Sequence, residues 1–163
     1  MTSATSSTRS QTDELPRAFA TLRVSGDDLV PNEITEVFKI RPTKAYAKGE
    51  HYSSGPRSPD LIGRTGVWYF ATDDVVAGNN LTDHLAFLTR LLRSGSGEAD
   101  ALSQLQQLMR RRSLRVSVAC FWHGPAGAKK PPIPRSVTEL LKQIPAGFET
   151  DFDVEEKEGR HAA

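Results

Sequence analysis

Leu114, Val116, Val118, Cys120 and Trp122 alternate with Arg115, Ser117, Ala119, Phe121 and His123. No other stretch constrains the fold as tightly, because successive strand side chains point to opposite faces and this period sets an apolar row against a mixed one. An inner strand with one buried face is expected here. Ala18, Ala20, Leu22 and Val24 repeat the period against Phe19, Thr21 and Arg23. Val67 to Thr72 is dense in aromatics, which favours a pleated strand. In the closing stretch Phe148, Phe152 and Val154 oppose Glu149, Asp151 and Asp153, as a strand with an exposed face requires.

The cover for such a sheet is legible as helices. Pro31 is pre-set for a first helical turn, Glu33 and Glu36 suit the positive helix end, and Ile34, Val37 and Phe38 share a face. This helix is expected to run to Arg41, because Pro42 disfavours helical geometry before it. Asn80 is placed to cap a helix carrying Leu81, Leu85, Leu88 and Leu92, which Ser94-Gly95-Ser96-Gly97 ends. Glu98 to Arg112 groups Leu102, Leu105, Leu108 and Met109, a second amphipathic helix beside the first. Ser136 and Glu139 have capping-box spacing ahead of Leu140, Leu141 and Ile144, with Pro145 and Gly147 as the stop.

Strands and helices in this order give an α+β fold: a single, mostly antiparallel sheet of four to five strands with helices packed on one face. The 163 residues suit one domain. We expect residues 1–16 to form a Ser/Thr-rich tail, 17–155 a single domain, and 156–163 a frayed end.

Composition narrows the function classes. Twenty-one basic and 20 acidic residues leave a net charge of +1, so no global field draws the chain to nucleic acid or anionic lipid and electrostatic recognition must be local. With one cysteine, an internal disulfide, a Cys-based metal cluster and a redox pair are excluded. Met1 to Glu14 holds no apolar run and no stretch approaches ~20 apolar residues, so neither a secretory leader nor a membrane span is expected, and a cytoplasmic protein without membrane association is.

Candidate chemistry is thin. Cys120 falls on the inward row, where a thiol packs as a small apolar group. His51, His84, His123 and His161 lack metal-ligand spacing; His84 with Asp73, Asp74 and Asp83 is the nearest to a ligand set, but aspartates before a helix more often cap and turn. Glu149, Asp151 and Asp153 read as protection of a sheet edge. Arg110, Arg111 and Arg112 read as a helix end meeting its own carbonyls. No catalytic residue, metal site or cofactor is assigned.

Residues 41–66 differ in kind. Gly49, Gly55, Gly63, Pro42, Pro56 and Pro59 make the stretch mostly loop, with a short strand expected around Lys44 to Lys48. Arg41, Lys44, Lys48, His51, Arg57 and Arg64 stand against Glu50 and Asp60. The glycines would let backbone N–H groups approach an anion, and Arg57 or Arg64 would grip it. The candidate ligand- or partner-binding set is therefore Arg41, Lys48, Glu50, His51, Arg57, Arg64 and Trp68.

In sequence order the chain carries Ser25-Gly26-Asp27-Asp28-Leu29, Pro31-Asn32-Glu33-Ile34-Thr35, Arg41-Pro42-Thr43, Lys48-Gly49-Glu50, Gly66-Val67-Trp68, the Asp83-His84-Leu85 helix and the closing segment Val137 to Val154. Together these resemble a bacterial family, domain of unknown function 4279, over about Ala18 to Val154. The chain departs from it at Asp151-Phe152-Asp153-Val154, where the family has an Asp-Ile-Tyr-like ending. The resemblance implies a small bacterial α+β domain and brings no reaction, cofactor or catalytic residue with it.

Two functions remain. The leading expectation is a non-catalytic binding protein, of the immunity or defence-associated kind, engaging an acidic protein partner. The competing one is a small enzyme or sensor in which Lys48, Glu50, His51, Arg57 and Arg64 enclose an anionic small molecule beneath Trp68. Nucleic acid is the least favoured partner, and the sequence assigns no oligomeric state.

Overall fold

The period-two rows become strands and the leucine-rich segments become their cover. A computed structural model describes residues 17–95 and 99–156; the expected tails at 1–16 and 157–163, His161 and the Ser96-Gly97 stop lie outside the described residues. The elements are β1 (Arg17–Gly26), α1 (Pro31–Phe38), β2 (Lys44–Tyr46), β3 (His51–Tyr52), β4 (Leu61–Ile62), β5 (Gly66–Ala71), a 3₁₀ turn at Thr72–Asp74, α2 (Leu81–Arg93), α3 (Ala101–Arg112), β6 (Arg115–Gly124), α4 (Arg135–Gln143) and β7 (Gly147–Val154). This is an α+β fold.

Five strands form one sheet in the order β2-β5-β1-β6-β7, and β3 and β4 form a separate two-stranded ribbon. Every pairing in the large sheet is antiparallel except β6 with β7, which are parallel and joined through α4. A parallel neighbour needs such a crossover, because a tight turn can only return the chain antiparallel.

Register puts the large apolar residues on one side. Val24 lies opposite both Trp68 and Val116, Leu22 opposite Phe70 and Val118, and Ala20 opposite Cys120. All are buried with Ile34 and Phe38 of α1, Leu85 and Leu92 of α2, Leu105 of α3 and Leu140 of α4 in a single core. The helices therefore cover one face, and the other is open.

Local details depart from the sequence reading in three places. The first helix ends at Phe38 rather than Arg41, because Lys39 turns left-handed (φ 52°) and its N–H bonds the Thr35 carbonyl, closing the last turn. The third helix starts at Ala101, where Asp100 caps it by accepting the Ser103 N–H at 2.9 Å. In α4 no side chain caps the N-terminus. Ser136 is already helical there, and Glu139 instead pairs with Arg135 at 2.8 Å. Asn80 does cap α2, accepting the Thr82 N–H at 3.0 Å. No helix among the described residues is long and apolar enough to cross a membrane.

Candidate functional site

Residues 41–66 leave α1, add β2 to the sheet edge, and fold over as the β3–β4 ribbon. The ribbon is held by rings: Tyr46 of β2 and Tyr52 of β3 stack at 4.0 Å with planes 4° apart. Burial, then the neighbouring Tyr52, raises the Tyr46 hydroxyl pKa above its usual value. Gly63 lies under the Tyr46 ring, where an added Cβ would come within 2.8 Å of Cδ2 and 3.0 Å of the Ala47 carbonyl. Only a glycine lets the two backbones approach so closely.

This construction uses up much of what the sequence reading assigned to a ligand. The Gly49 N–H donates to the Gly63 carbonyl and the Gly63 N–H to the Glu50 carbonyl, both at 2.9 Å. The Gly55 N–H meets the Ser53 hydroxyl at 3.4 Å, so these glycines serve the loop's own turns rather than an anion. Glu50 accepts the Ala47 N–H at 3.0 Å. Lys48 pairs with Asp27 at 3.2 Å, and the Thr65 hydroxyl followed by Lys48 holds the Asp27 carboxyl below its usual range. His51 lies 3.9 Å from Asp60. Arg41, Arg57 and Arg64 are exposed and make no ion pair among the described residues.

Trp68 does not join them. It is fully buried on the helix-covered side, tilted against Phe38, with its indole N–H donating to the Thr35 hydroxyl at 3.1 Å. Its even place in β5 puts it in the same row as Phe70 and opposite Val24. The ring therefore faces the helices, and Lys48, Glu50 and His51 meet Asp27, the Ala47 N–H and Asp60 instead.

The residues that do converge are on the open face. Lys44 lies opposite Tyr69, which lies opposite Arg23, which lies opposite Ser117, which lies opposite Gly147. Directly opposed residues share a face, so a row of Lys, Tyr, Arg, Ser and Gly crosses all five strands. Beside it Ser25 faces Arg115. The Lys44 ammonium lies 4.5 Å from the Tyr52 ring centre and 5.8 Å from that of Tyr46. Burial first, and then the Asp73 carboxylate, raises the Tyr69 hydroxyl pKa. At the other end of the same face Phe19 and Phe121 stack at 4.6 Å, and Glu149, Asp151 and Asp153 stand exposed along β7. His123 lies 3.5 Å from both Asp153 and Glu155.

The other sequence candidates resolve as structure. His84 is fully buried: its Nε2 lies 2.9 Å from the Gly78 carbonyl and its Nδ1 2.6 Å from the Thr72 hydroxyl, which also accepts the Ala20 N–H at 2.9 Å. A carbonyl can only accept, so the Nε2–H donates to it and the unprotonated Nδ1 accepts the Thr72 hydroxyl. Asp73 pairs with Arg17 at 3.6 Å, and Asp74 accepts the Thr43 hydroxyl. No group of three or more His, Cys, Asp or Glu among the described residues is placed to hold a metal ion. Cys120 is fully enclosed, and burial pushes its thiol pKa up to about 11.

Arg112 does not turn to its own helix carbonyls. It grips Glu33 of α1 with two N–H groups at 3.2 and 2.7 Å, and Arg111 lies 3.7 Å from the same carboxylate. That grip is the main cause of the lowered Glu33 pKa. The convergence of Arg23 and Arg115 was not legible because strand register, unlike helical spacing, leaves no mark in local sequence; their shared odd-numbered rows were the available signal.

No curated protein and no solved structure matches the chain. A family model described as Domain of unknown function (DUF4279) matches residues 16–155, a span that takes in every strand of the sheet and every residue of the basic row. The chain belongs to the DUF4279 family.

Proposed function

We propose that the chain is a non-catalytic binding protein that takes an acidic protein partner where the open sheet face meets the β3–β4 ribbon. The observation that carries this reading is the Lys44 corner: an ammonium set over the stacked Tyr46–Tyr52 pair, in the same row as Arg23. Among the described residues no carboxylate pairs with either cation. Unpaired charge on a rigid aromatic base gives a partner both a contact surface and an electrostatic address, at about 0.5–1 kcal/mol for each exposed cation–ring contact. Arg41, Arg57 and Arg64, exposed on the adjoining segment, widen the basic field.

A bacterial, cytoplasmic protein of the immunity or defence-associated kind fits this reading, because such a protein acts by occupying a partner rather than by chemistry. The enzyme or sensor reading loses its roof, since Trp68 is fully buried against Phe38 and Phe70 and offers no surface to a ligand. Nucleic acid is disfavoured by the near-neutral charge and by the use of Arg111 and Arg112 on Glu33.

Titration of isotope-labelled protein with hexaglutamate tests the proposal. Amide shifts are expected in β2, the ribbon and the open-face positions of β5 and β1. They should be lost in the Lys44→Glu variant and weakened in Arg57→Glu with Arg64→Glu. Shifts confined to the helices, or none at all, would overturn it.

A further inference from the structure

Beyond the Lys44 corner, the open face carries an arrangement that generic acidity does not explain. Arg23 lies opposite Ser117, and Ser25 lies opposite Arg115. On one face of an antiparallel pair these four side chains form a square, with the arginines on one diagonal and the serines on the other. Strand geometry sets diagonal neighbours roughly 7–8 Å apart. Side chains carried on backbone positions that close can reach one ligand together, and among the described residues neither guanidinium is paired with a carboxylate. The acidic groups across the adjoining cleft are Asp27 and Asp28; Asp27 is already held by Lys48.

The square is part-exposed, with Ser25 and Ser117 half-buried and both arginines exposed. It forms the polar side of a cleft of about 590 Å³ whose floor continues to Gly147 and whose other wall is Met109, Leu114 and Pro145. Gly147 lies opposite Ser117, and a Cβ there would sit 3.7 Å from the Ser117 Cβ. The floor is thus built from the smallest side chains, with the two longest polar ones at opposite corners.

We infer that this cleft binds a phosphomonoester, its phosphoryl group seated between Arg23 and Arg115 over the Ser25 and Ser117 hydroxyls and its organic body laid against Met109, Leu114 and Pro145. A carboxylate has two oxygens and is satisfied by one guanidinium fork. A phosphoryl dianion has three terminal oxygens and accepts from two forks and two hydroxyls together, which is the donor set present. The inference rests on the acidic-partner reading for its choice of face and goes further by naming the anion.

Phenyl phosphate is the probe, because it joins the anion to a flat apolar body. Titrated into labelled protein, it is expected to shift the amides of Arg23, Ser25, Arg115 and Ser117 and to saturate. Arg23→Ala or Arg115→Ala should weaken it by about tenfold or more. Arg23→Lys keeps the charge and folds as the parent does, yet should also weaken it, because an ammonium lacks the fork. Phenylacetate, with a carboxylate on the same body, should bind at least about tenfold more weakly. A phosphotyrosine tripeptide and adenosine monophosphate form two further arms: tighter binding of the first assigns a modified protein as the source, and of the second a small metabolite. No shift at the four residues up to about 10 mM phenyl phosphate, where even a millimolar affinity registers, overturns the inference, as does equal binding of phenylacetate. If hexaglutamate still binds in that case, the acidic-partner reading survives; if neither binds, both fail.

Discussion

The two faces of the one sheet handle polar groups in opposite ways. On the helix-covered face each polar side chain has a partner built in: Trp68 donates to Thr35, Thr72 joins Ala20 to His84, and His84 reaches the Gly78 carbonyl. No buried side-chain nitrogen or oxygen among the described residues lacks a hydrogen bond. On the open face Lys44, Arg23 and Arg115 have no paired carboxylate among the described residues, while Glu149, Asp151 and Asp153 stand along the far edge. Leaving a polar group unpaired costs little in water and a great deal in a core. The unpaired charges are therefore where a solvent-facing partner can be the missing counter-group.

The largest effect that sharpens this contrast is expected from Trp68→Ala. It removes a fully buried ring packed between Phe38 and Phe70 and with it the N–H that the Thr35 hydroxyl accepts, at about 3–5 kcal/mol in denaturant unfolding. A loss under about 1 kcal/mol, or an unchanged fold with altered hexaglutamate binding, would return Trp68 to the site and break the comparison. Next comes His84→Ala, at about 2–4 kcal/mol from the combined cavity and the orphaned Gly78 carbonyl. Hexaglutamate titration of a folded sample should be unaffected, since the imidazole lies on the covered face.

The boundary between the two faces is the ribbon, and Gly63→Ala tests it. The added methyl must displace Tyr46 or the Ala47 carbonyl, at about 1–3 kcal/mol, and it should separate the Tyr46 and Tyr52 rings. Loss of their mutual ring-current shifts, together with weaker hexaglutamate binding, would show that the Lys44 corner depends on the stacking. Binding that outlives the ring separation would assign recognition to charge alone.

What the sequence disclosed follows the same divide. Periods of two and of 3.6 are local, so β1, β5, β6, β7 and the four helices were readable, as was the inward thiol of Cys120. Register is not local. Nothing near Arg23 announces Ser117, and nothing near Lys44 announces Tyr52, so the face on which the cations meet stayed hidden. Within residues 41–66 the basic residues and glycines were counted correctly but their uses were not. Lys48, Glu50, Gly49 and Gly63 bond within the ribbon or to the turn beside it, because a loop must satisfy its own backbone before it offers groups to a ligand. Trp68 was misplaced by proximity in sequence: strand alternation turns it away from the segment it adjoins.

The smallest expected effect concerns a charge that resembles those of the open face in sequence but not in use. Arg112 is spent on Glu33, tying the end of α3 to the start of α1. Glu33→Gln should cost about 1 kcal/mol at neutral pH, the scale of a part-exposed bidentate pair. The folded carboxyl pKa lies below its unfolded value, so its contribution is complete above the unfolded carboxylate range near pH 4 and is lost as pH falls through the folded value. Parent and variant should therefore differ in urea midpoint at pH 7 and converge as the solution is acidified. Convergence on raising the pH instead would reverse the sign and remove Glu33 as the partner of Arg112.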